Sequence, residues 1–171
     1  MDGVTVWFTG LLSSGKTTLA RALAARLRLE RVNVEVLDGD AVRASLSCDL
    51  GFSRPDRDEN VRRVGYVANL LSRNGVVVLC ALVSPYRAAR DEVRAAHAGR
   101  FFEVYVATPL AVCWERDVKG LYARHQAGTL TGLTGADDPY EPPLAAEVVV
   151  PAHEQAPEES VELVWGKLTN R

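Results

Sequence analysis

The sequence is poor in cysteine: its three cysteines lie far apart and form no Cys-x-x-Cys pair. This spacing argues against a disulfide framework and a zinc site, and it favours a reducing cytoplasm. No apolar run reaches the roughly 18 residues of a membrane-spanning helix, and residues 1–10 lack the basic start and small-residue cleavage site of a secretory signal. We therefore expect a cytoplasmic protein with no membrane partner.

The sequence also lacks an excess of charge of either sign. Twenty Lys and Arg residues oppose 22 Asp and Glu residues, so no chain-wide basic field exists to bind nucleic acid. Hydrophobic residues make up 47% and charged residues 25%, which argues against intrinsic disorder. At 171 residues, the chain is expected to form one domain over residues 1–171.

Apolar, strand-like segments alternate with segments of helical periodicity. The predicted strands are 4–9, 34–37, 76–83, 101–107 and 148–150, and the predicted helices begin near Lys16, at Asp56, at Arg87 and at Pro157. This alternation predicts a three-layer α/β fold with a mostly parallel, five-stranded sheet between helices. Segment 117–143 is rich in Gly and Pro, so we interpret it as a mobile lid, with an ordinary surface excursion as the alternative.

A phosphate-binding loop follows the first predicted strand. Residues 10–17, Gly-Leu-Leu-Ser-Ser-Gly-Lys-Thr, match G-x-x-x-x-G-K-[ST] at every required position, between a strand and a helix. Its glycines let backbone amides curve around phosphate oxygens at the positive end of the helix. Lys16 can reach the β- and γ-phosphates, and the Thr17 hydroxyl can ligate Mg²⁺. The loop therefore predicts binding of a nucleotide and Mg²⁺.

The loop alone does not separate a GTPase, an ATP-driven motor and a small-molecule kinase. The sequence has no Asn-Lys-x-Asp stretch, with which GTPases read guanine. It also has no second strand that ends in hydrophobic-Asp-Glu, a pattern common in motors. The chain length and the candidate lid favour a kinase.

Two carboxylates follow the second predicted strand, in Asp38-Gly39-Asp40. Both are expected at the carboxyl edge of the sheet, near the phosphate loop. One could orient or deprotonate an attacking hydroxyl, and the other could bind Mg²⁺ through water or cap the next helix. The sequence does not decide which residue has which role.

Several stretches resemble the adenylylsulfate kinase (APS kinase) family of P-loop kinases, in order from about residue 4 to residue 143. Besides the phosphate loop, they are Leu37 to Asp40 with Arg43, Asp49 to Ser53, Asp56 with Arg57, Glu59 to Arg63, Ser84 to Arg87, Lys119 to Tyr122 and Asp138 to Pro142. The resemblance implies transfer of the ATP γ-phosphate to the ribose 3′-hydroxyl of adenosine 5′-phosphosulfate (APS), in sulfate assimilation. A homodimer, common in the family, is compatible with the sequence.

The resemblance assigns roles to matching positions. Residues implied in nucleotide binding are Gly10, Ser13, Ser14, Gly15, Lys16, Thr17, Thr18 and Arg116. Residues implied in acceptor binding are Asp40, Arg43, Phe52, Arg57, Asn60, Val83, Ser84, Lys119 and Leu133. The candidate catalytic residues are Lys16, Asp38, Asp40 and Lys119, and the candidate Mg²⁺ ligand is Thr17.

The chemistry of these residue types is compatible with the implied roles. Arg43 and Arg57 would bind the anionic phosphosulfate, because a planar guanidinium offers paired donors to oxyanions. Phe52 would stack on the acceptor adenine. Ser84 is expected to bind near the transferred group without acting as a nucleophile. Lys119 would fold over the substrates with the lid, which excludes water.

Three positions depart from the family pattern. Leu12 stands where a small polar residue is usual, Val118 replaces a proline, and Leu133 replaces an aromatic residue that helps to sandwich the acceptor adenine. The last change is expected to weaken stacking by about 1 kcal/mol and to loosen acceptor choice. Two alternatives therefore stay open: a related enzyme that phosphorylates another small alcohol, and a nucleotide-binding regulatory module without catalysis.

Overall fold

The computed structural model describes residues 1–171 and contains one parallel sheet of five strands, in the order β2-β3-β1-β4-β5. The strands are β1 (Val4–Thr9), β2 (Val34–Asp38), β3 (Val77–Ala81), β4 (Phe101–Val106) and β5 (Val148–Val150). The helices are α1 (Lys16–Leu29), α2 (Gly39–Ala44), α3 (Arg54–Ser72), α4 (Arg87–Ala96), α5 (Leu110–Arg116), α6 (Leu121–Gln126) and α7 (Pro157–Thr169). The predicted α/β fold with a five-stranded sheet is confirmed. None of the helices has both the length and the apolar character needed to span a membrane.

Apolar clusters on the two faces of the sheet give the fold its three layers. β1 is buried along its whole length, and its alternate side chains point to opposite faces. Val6 and Phe8 pack with residues of α1 and α7 on one face. Trp7 packs with residues of α3 and α4 on the other face. The phosphate loop therefore leaves the buried central strand at the carboxyl edge of the sheet.

The structure differs from the predicted elements mainly at short helices and at element ends. Helices α2, α5 and α6 have only six or seven residues, too few for periodicity to reveal. Helix α3 begins two residues before the predicted start, because Ser53 caps it by accepting a hydrogen bond from the Asp56 amide at 3.3 Å. Strand β3 ends at Ala81, and the chain then turns at Ser84, which has a φ of 41°.

The lid, defined here as residues 117–143, contains a helix and its own apolar cluster. The Asp117 carboxylate accepts hydrogen bonds from two amides in the first turn of α6, those of Tyr122 (3.0 Å) and Ala123 (2.9 Å). The Tyr122 ring is buried with Leu133, and its hydroxyl donates to the Leu12 carbonyl at 3.1 Å. The lid thus packs directly against the phosphate loop. Its mobility stays a prediction.

Candidate functional site

The phosphate loop depends on glycine at both of its ends. Gly10 and Gly15 have φ values of 154° and 106°, in the region that favours glycine. A Cβ atom at Gly10 would lie 2.6 Å from the Val106 carbonyl oxygen, so no other residue fits there. Because α1 begins at Lys16, its unpaired amides face the concave side of the loop. The loop and the start of α1 thus supply the backbone donors of a phosphate site.

Lys16 folds back over the loop that precedes it. Its Nζ atom donates to the carbonyls of Gly10 at 2.9 Å and Leu11 at 2.5 Å, and only 8% of the residue is exposed. Burial lowers the pKa of Lys16 to about 7. A desolvated ammonium gains more than an exposed one from a phosphate partner, so this lysine is well suited to a triphosphate.

Thr17 and Asp38 form an oxygen-rich pair beside the loop. The Thr17 hydroxyl donates to Asp38 Oδ2 at 2.8 Å, and Asp38 Oδ1 caps α2 by accepting from the Asp40 amide at 3.1 Å. Hydroxyl and carboxylate oxygens are the ligands that Mg²⁺ prefers. The chain has no group of three or more His, Cys, Asp or Glu side chains arranged to hold a metal ion. The pair therefore fits an Mg²⁺ ion that takes its other ligands from phosphate and water.

The start of the lid lies over the phosphate loop. The Lys119 ammonium donates to the Asp40 carboxylate, and the Val118 amide donates to Ser13 Oγ at 3.2 Å. Arg116 donates to the Ser14 carbonyl at 3.4 Å and to the Ala152 carbonyl at 3.2 Å. The structure thus brings Lys119 and Arg116 to the nucleotide side of the site.

Thr18 is the exception among the predicted nucleotide-binding residues. It lies one position further along α1 than Thr17, and its side chain is exposed. Consecutive helical residues point in directions about 100° apart, so the two hydroxyls do not share a target. A contact between Thr18 and the nucleotide stays a prediction.

An exposed aromatic ring and two arginines form the acceptor side. Phe52 is 66% exposed, and the guanidinium carbons of Arg43 and Arg57 lie 4.7 and 5.8 Å from its ring centre. Arg43 donates to the Gly51 carbonyl at 2.6 Å, and Arg57 donates to the Phe52 carbonyl at 2.7 Å. Cation–π attraction holds the guanidiniums against the ring. An aromatic base and a linked anion could bind here together.

Helix α3 connects the acceptor side to the lid. Arg57, near its start, donates to Thr134 Oγ1 at 2.5 Å and to Asp138 Oδ2 at 3.3 Å. Asn60 lies one turn further on and is 7% exposed, and its Oδ1 atom is buried without a partner. Leaving a buried acceptor unpaired costs about 1–3 kcal/mol, so a donor from a bound ligand would stabilise this side chain.

Three residues predicted to bind the acceptor make contacts within the protein. Ser84 is 3% exposed, and its hydroxyl accepts from Trp7 Nε1 at 3.0 Å and donates to Thr9 Oγ1 at 3.1 Å. The Val83 carbonyl accepts from the same threonine hydroxyl at 2.8 Å. Leu133 is 4% exposed, because its aliphatic side chain fills the apolar cluster of the lid. The side chains of Ser84 and Leu133 are thus buried in this arrangement, and a contact between either of them and an acceptor stays a prediction.

Polar residues that no sequence motif singled out also hold the loops around the site. The Tyr140 hydroxyl lies 2.9 Å from Thr9 Oγ1, and Arg90 bonds to the carbonyls of Ser84 and Glu141. In the sequence, Arg90 could have been recognised because it shares the buried stripe of α4 with Ala89 and Val93. A charged residue on such a stripe indicates a buried polar partner.

A cavity of about 560 Å³ opens next to the phosphate loop, at the carboxyl end of β4. It is lined by Leu11, Tyr105, Ala107, Thr108, Pro109, Leu110, Gly135, Ala136, Asp137, Asp138, Pro139, Tyr140 and Pro142. None of the predicted site residues is among them. The donor and acceptor sides are connected instead by α2, which has Asp40 near its start and Arg43 one turn later.

Comparison with known proteins identifies the family. The model of the adenylylsulphate kinase family matches residues 2–151. The chain belongs to the adenylylsulphate kinase family. This result confirms the resemblance inferred from the sequence, and this is a family of ATP-dependent kinases.

Relatives of this adenylylsulphate kinase family member match over nearly their whole length. An adenylyl-sulfate kinase of Microcystis aeruginosa is 56% identical over 167 residues, which cover 98% of this chain and 92% of the relative. One from Synechococcus sp. (strain JA-3-3Ab) is 57% identical over 166 residues, covering 97% and 94%. Each of these relatives therefore aligns with this chain across both sides of the site.

Solved structures also match. The structure of the Mycobacterium tuberculosis APS kinase CysC in complex with AMPPNP and APS has a TM-score of 0.93 at 42% identity and covers 98% of each chain. A gluconokinase from Sinorhizobium meliloti, 19% identical with a TM-score of 0.62, covers 98% of this chain and 93% of its own and shares the fold alone.

Proposed function

We propose that this family member transfers the γ-phosphate of ATP to the ribose 3′-hydroxyl of adenosine 5′-phosphosulfate. The observation that carries the proposal is the position of α2. Its N-terminal end holds Asp40 beside the Thr17–Asp38 pair, and its last turn holds Arg43 against Phe52. One short helix thus connects a triphosphate site to an aromatic, cationic surface suited to a nucleotide-like anion.

On the donor side, the phosphate loop supplies amides and the mobile cation of Lys16. Lys16 would leave the carbonyls of Gly10 and Leu11 for the β- and γ-phosphates, where its charge offsets the charge that develops during transfer. Thr17 and Asp38 would hold Mg²⁺, Asp38 through water. Bound Mg²⁺ would neutralise phosphate charge.

On the acceptor side, Arg43 and Arg57 would bind the phosphosulfate, and Phe52 would stack on the adenine. Asp40 would orient the 3′-hydroxyl and accept its proton, because its carboxylate is 72% exposed and reachable. For this, Lys119 must leave Asp40, and the negatively charged phosphates are its natural next partner. Ser84 is buried, so transfer is direct between the two bound substrates.

The test is a transfer assay with purified protein, ATP, Mg²⁺ and adenosine 5′-phosphosulfate. We expect one ADP for each 3′-phosphorylated product. Adenosine 5′-monophosphate, gluconate and shikimate serve as alternative acceptors. Preferential phosphorylation of one of these would favour the related-kinase alternative. Nucleotide binding with no transfer to any acceptor would favour a regulatory module.

The oligomeric state is a separate prediction, and we propose a homodimer. Light scattering would give twice the 18.6 kDa mass of one chain. A hexameric APS kinase from Thiobacillus denitrificans has a TM-score of 0.75 at 38% identity, over 99% of this chain and 29% of its own. A mass of one or six chains would contradict the dimer.

A further inference from the structure

Arg90 is an arginine buried inside the fold, away from the phosphate loop and the acceptor ring. Only 2% of the residue is exposed. Its Nε atom donates to Glu103 Oε1 at 2.9 Å, and its two terminal nitrogens donate to the carbonyls of Ser84 at 2.6 Å and Glu141 at 2.7 Å. One rigid guanidinium therefore fixes a strand and two loops in a single arrangement.

Charge balance explains only one of these three contacts. Glu103, itself 5% exposed, compensates the buried charge of Arg90. Arg94 also pairs with Glu103, at 3.2 Å, and with Glu147 at 2.5 Å. A buried ion pair is often no more stabilising than apolar residues of similar volume. The two carbonyl contacts satisfy the remaining buried N–H donors of Arg90, and they also attach two loops to one guanidinium.

The first carbonyl belongs to a strained loop next to the phosphate loop. Ser84 has a φ of 41°, which is uncommon for a residue with a side chain and persists only when its surroundings enforce it. Its hydroxyl donates to Thr9, the residue immediately before Gly10. The position of Ser84 is therefore coupled to the start of the phosphate loop.

The second carbonyl belongs to the carboxyl end of the lid. The Glu141 amide donates to the Pro85 carbonyl at 2.8 Å, and the Glu141 carboxylate accepts from the Arg87 amide at 2.8 Å. The Tyr140 hydroxyl lies 2.9 Å from Thr9 Oγ1. This end of the lid is thus fastened to the ends of β1 and β3, whereas the Lys119–Asp40 contact at its other end is exposed.

We propose that Arg90 is a positioning residue for phosphoryl transfer. It holds the carboxyl end of the lid and the Ser84 loop in one geometry relative to the phosphate loop, so that the lid closes over the substrates and keeps water out. Without this fastening, water competes with the acceptor for the γ-phosphate, and ATP is hydrolysed to ADP and phosphate. The inference rests on the proposed transfer function.

The main test compares Arg90→Lys with Arg94→Gln. Arg90→Lys keeps a cation beside Glu103 but cannot make all three directional contacts. We expect its kcat for transfer to fall roughly 10- to 100-fold and its ratio of ADP to phosphorylated product to rise above one. Arg94→Gln disturbs the same acidic group without touching either carbonyl, so we expect its kcat and its ratio to match those of the wild type.

A second variant guards against misfolding of Arg90→Lys. Tyr140→Phe removes only the hydroxyl bonded to Thr9, and we expect it to raise the ADP-to-product ratio in the same direction, by a smaller factor. If both variants unfold at lower temperature but keep the wild-type ratio and kcat per folded protein, Arg90 is merely structural and the proposal is overturned.

The proposed function can fail separately. If the wild type forms no product from adenosine 5′-phosphosulfate, transfer to that acceptor is refuted. Hydrogen exchange of backbone amides in the ATP-bound protein then still tests whether Arg90 holds the carboxyl end of the lid in place. Faster exchange at Arg87 and Glu141 in Arg90→Lys, but not in Arg94→Gln, supports it. Equal exchange in the two variants overturns it.

Discussion

The two sides of the site are built in different ways. On the nucleotide side, one continuous loop supplies backbone amides, and its shape is imposed by glycines such as Gly10. On the acceptor side, Arg43, Phe52 and Arg57 come from different elements and meet through side-chain contacts. A backbone site tolerates changes in neighbouring side chains, whereas a side-chain site changes with each substitution. Side-chain substitutions are therefore expected to preserve binding of the phosphate donor and to alter the choice of acceptor.

The largest effect is expected from removing the cation of the phosphate loop itself. Lys16→Ala should lower kcat/KM for ATP by on the order of 10³-fold or more, because it removes charge stabilisation of the transferred group. Steady-state assays at varied ATP would measure this. Lys167→Ala, an exposed lysine on α7, is the matched control. A loss below tenfold would mean that the backbone amides, with Arg116 and Lys119, carry phosphate binding without Lys16.

The second-largest effect distinguishes the roles of Asp40, expected on the acceptor side, and Asp38, expected on the nucleotide side. Asp40→Asn should lower kcat roughly 10²-fold with the KM for ATP nearly unchanged, because it removes the group that orients and deprotonates the hydroxyl. Asp38→Asn should instead raise the Mg²⁺ concentration required, since Asp38 accepts from Thr17. Titrations of ATP and Mg²⁺ distinguish the two. If only Asp38→Asn lowers kcat, the roles are exchanged.

The same contrast explains what the sequence could predict. The phosphate loop, its strand and its helix follow from a contiguous pattern, and β1 and α1 lie where that pattern puts them. Ser84 and Leu133 are buried through contacts with Trp7 and Tyr122, respectively. These partners are distant in sequence, so no local sequence pattern predicts the burial. Leu133 also stands where an aromatic residue was expected, and a smaller aliphatic side chain packs inward more easily.

Protonation of Lys16 gives a third, intermediate effect. Burial lowers its pKa to about 7 in the free protein, and a bound triphosphate would raise that pKa. Affinity for ATP is therefore fully present well below pH 7 and falls as pH rises from the free-state pKa toward the bound-state pKa, by up to roughly 25-fold between pH 7.5 and pH 9. Calorimetry in buffers of different ionisation enthalpy should detect proton uptake in this range. Lys16→Arg, charged throughout, should show none.

The smallest effect concerns the acceptor side alone. Phe52→Ala removes an exposed ring that two guanidiniums flank, and loss of one base–aromatic stack costs about 1 kcal/mol, or roughly fivefold in the KM for adenosine 5′-phosphosulfate. The KM for ATP should not change, because the nucleotide side makes no use of this ring. Tyr66→Ala, an equally exposed aromatic residue on α3 (68% against 66%), is the control. If Phe52→Ala raises both KM values together, the two sides are coupled through α2 more tightly than their separate construction implies.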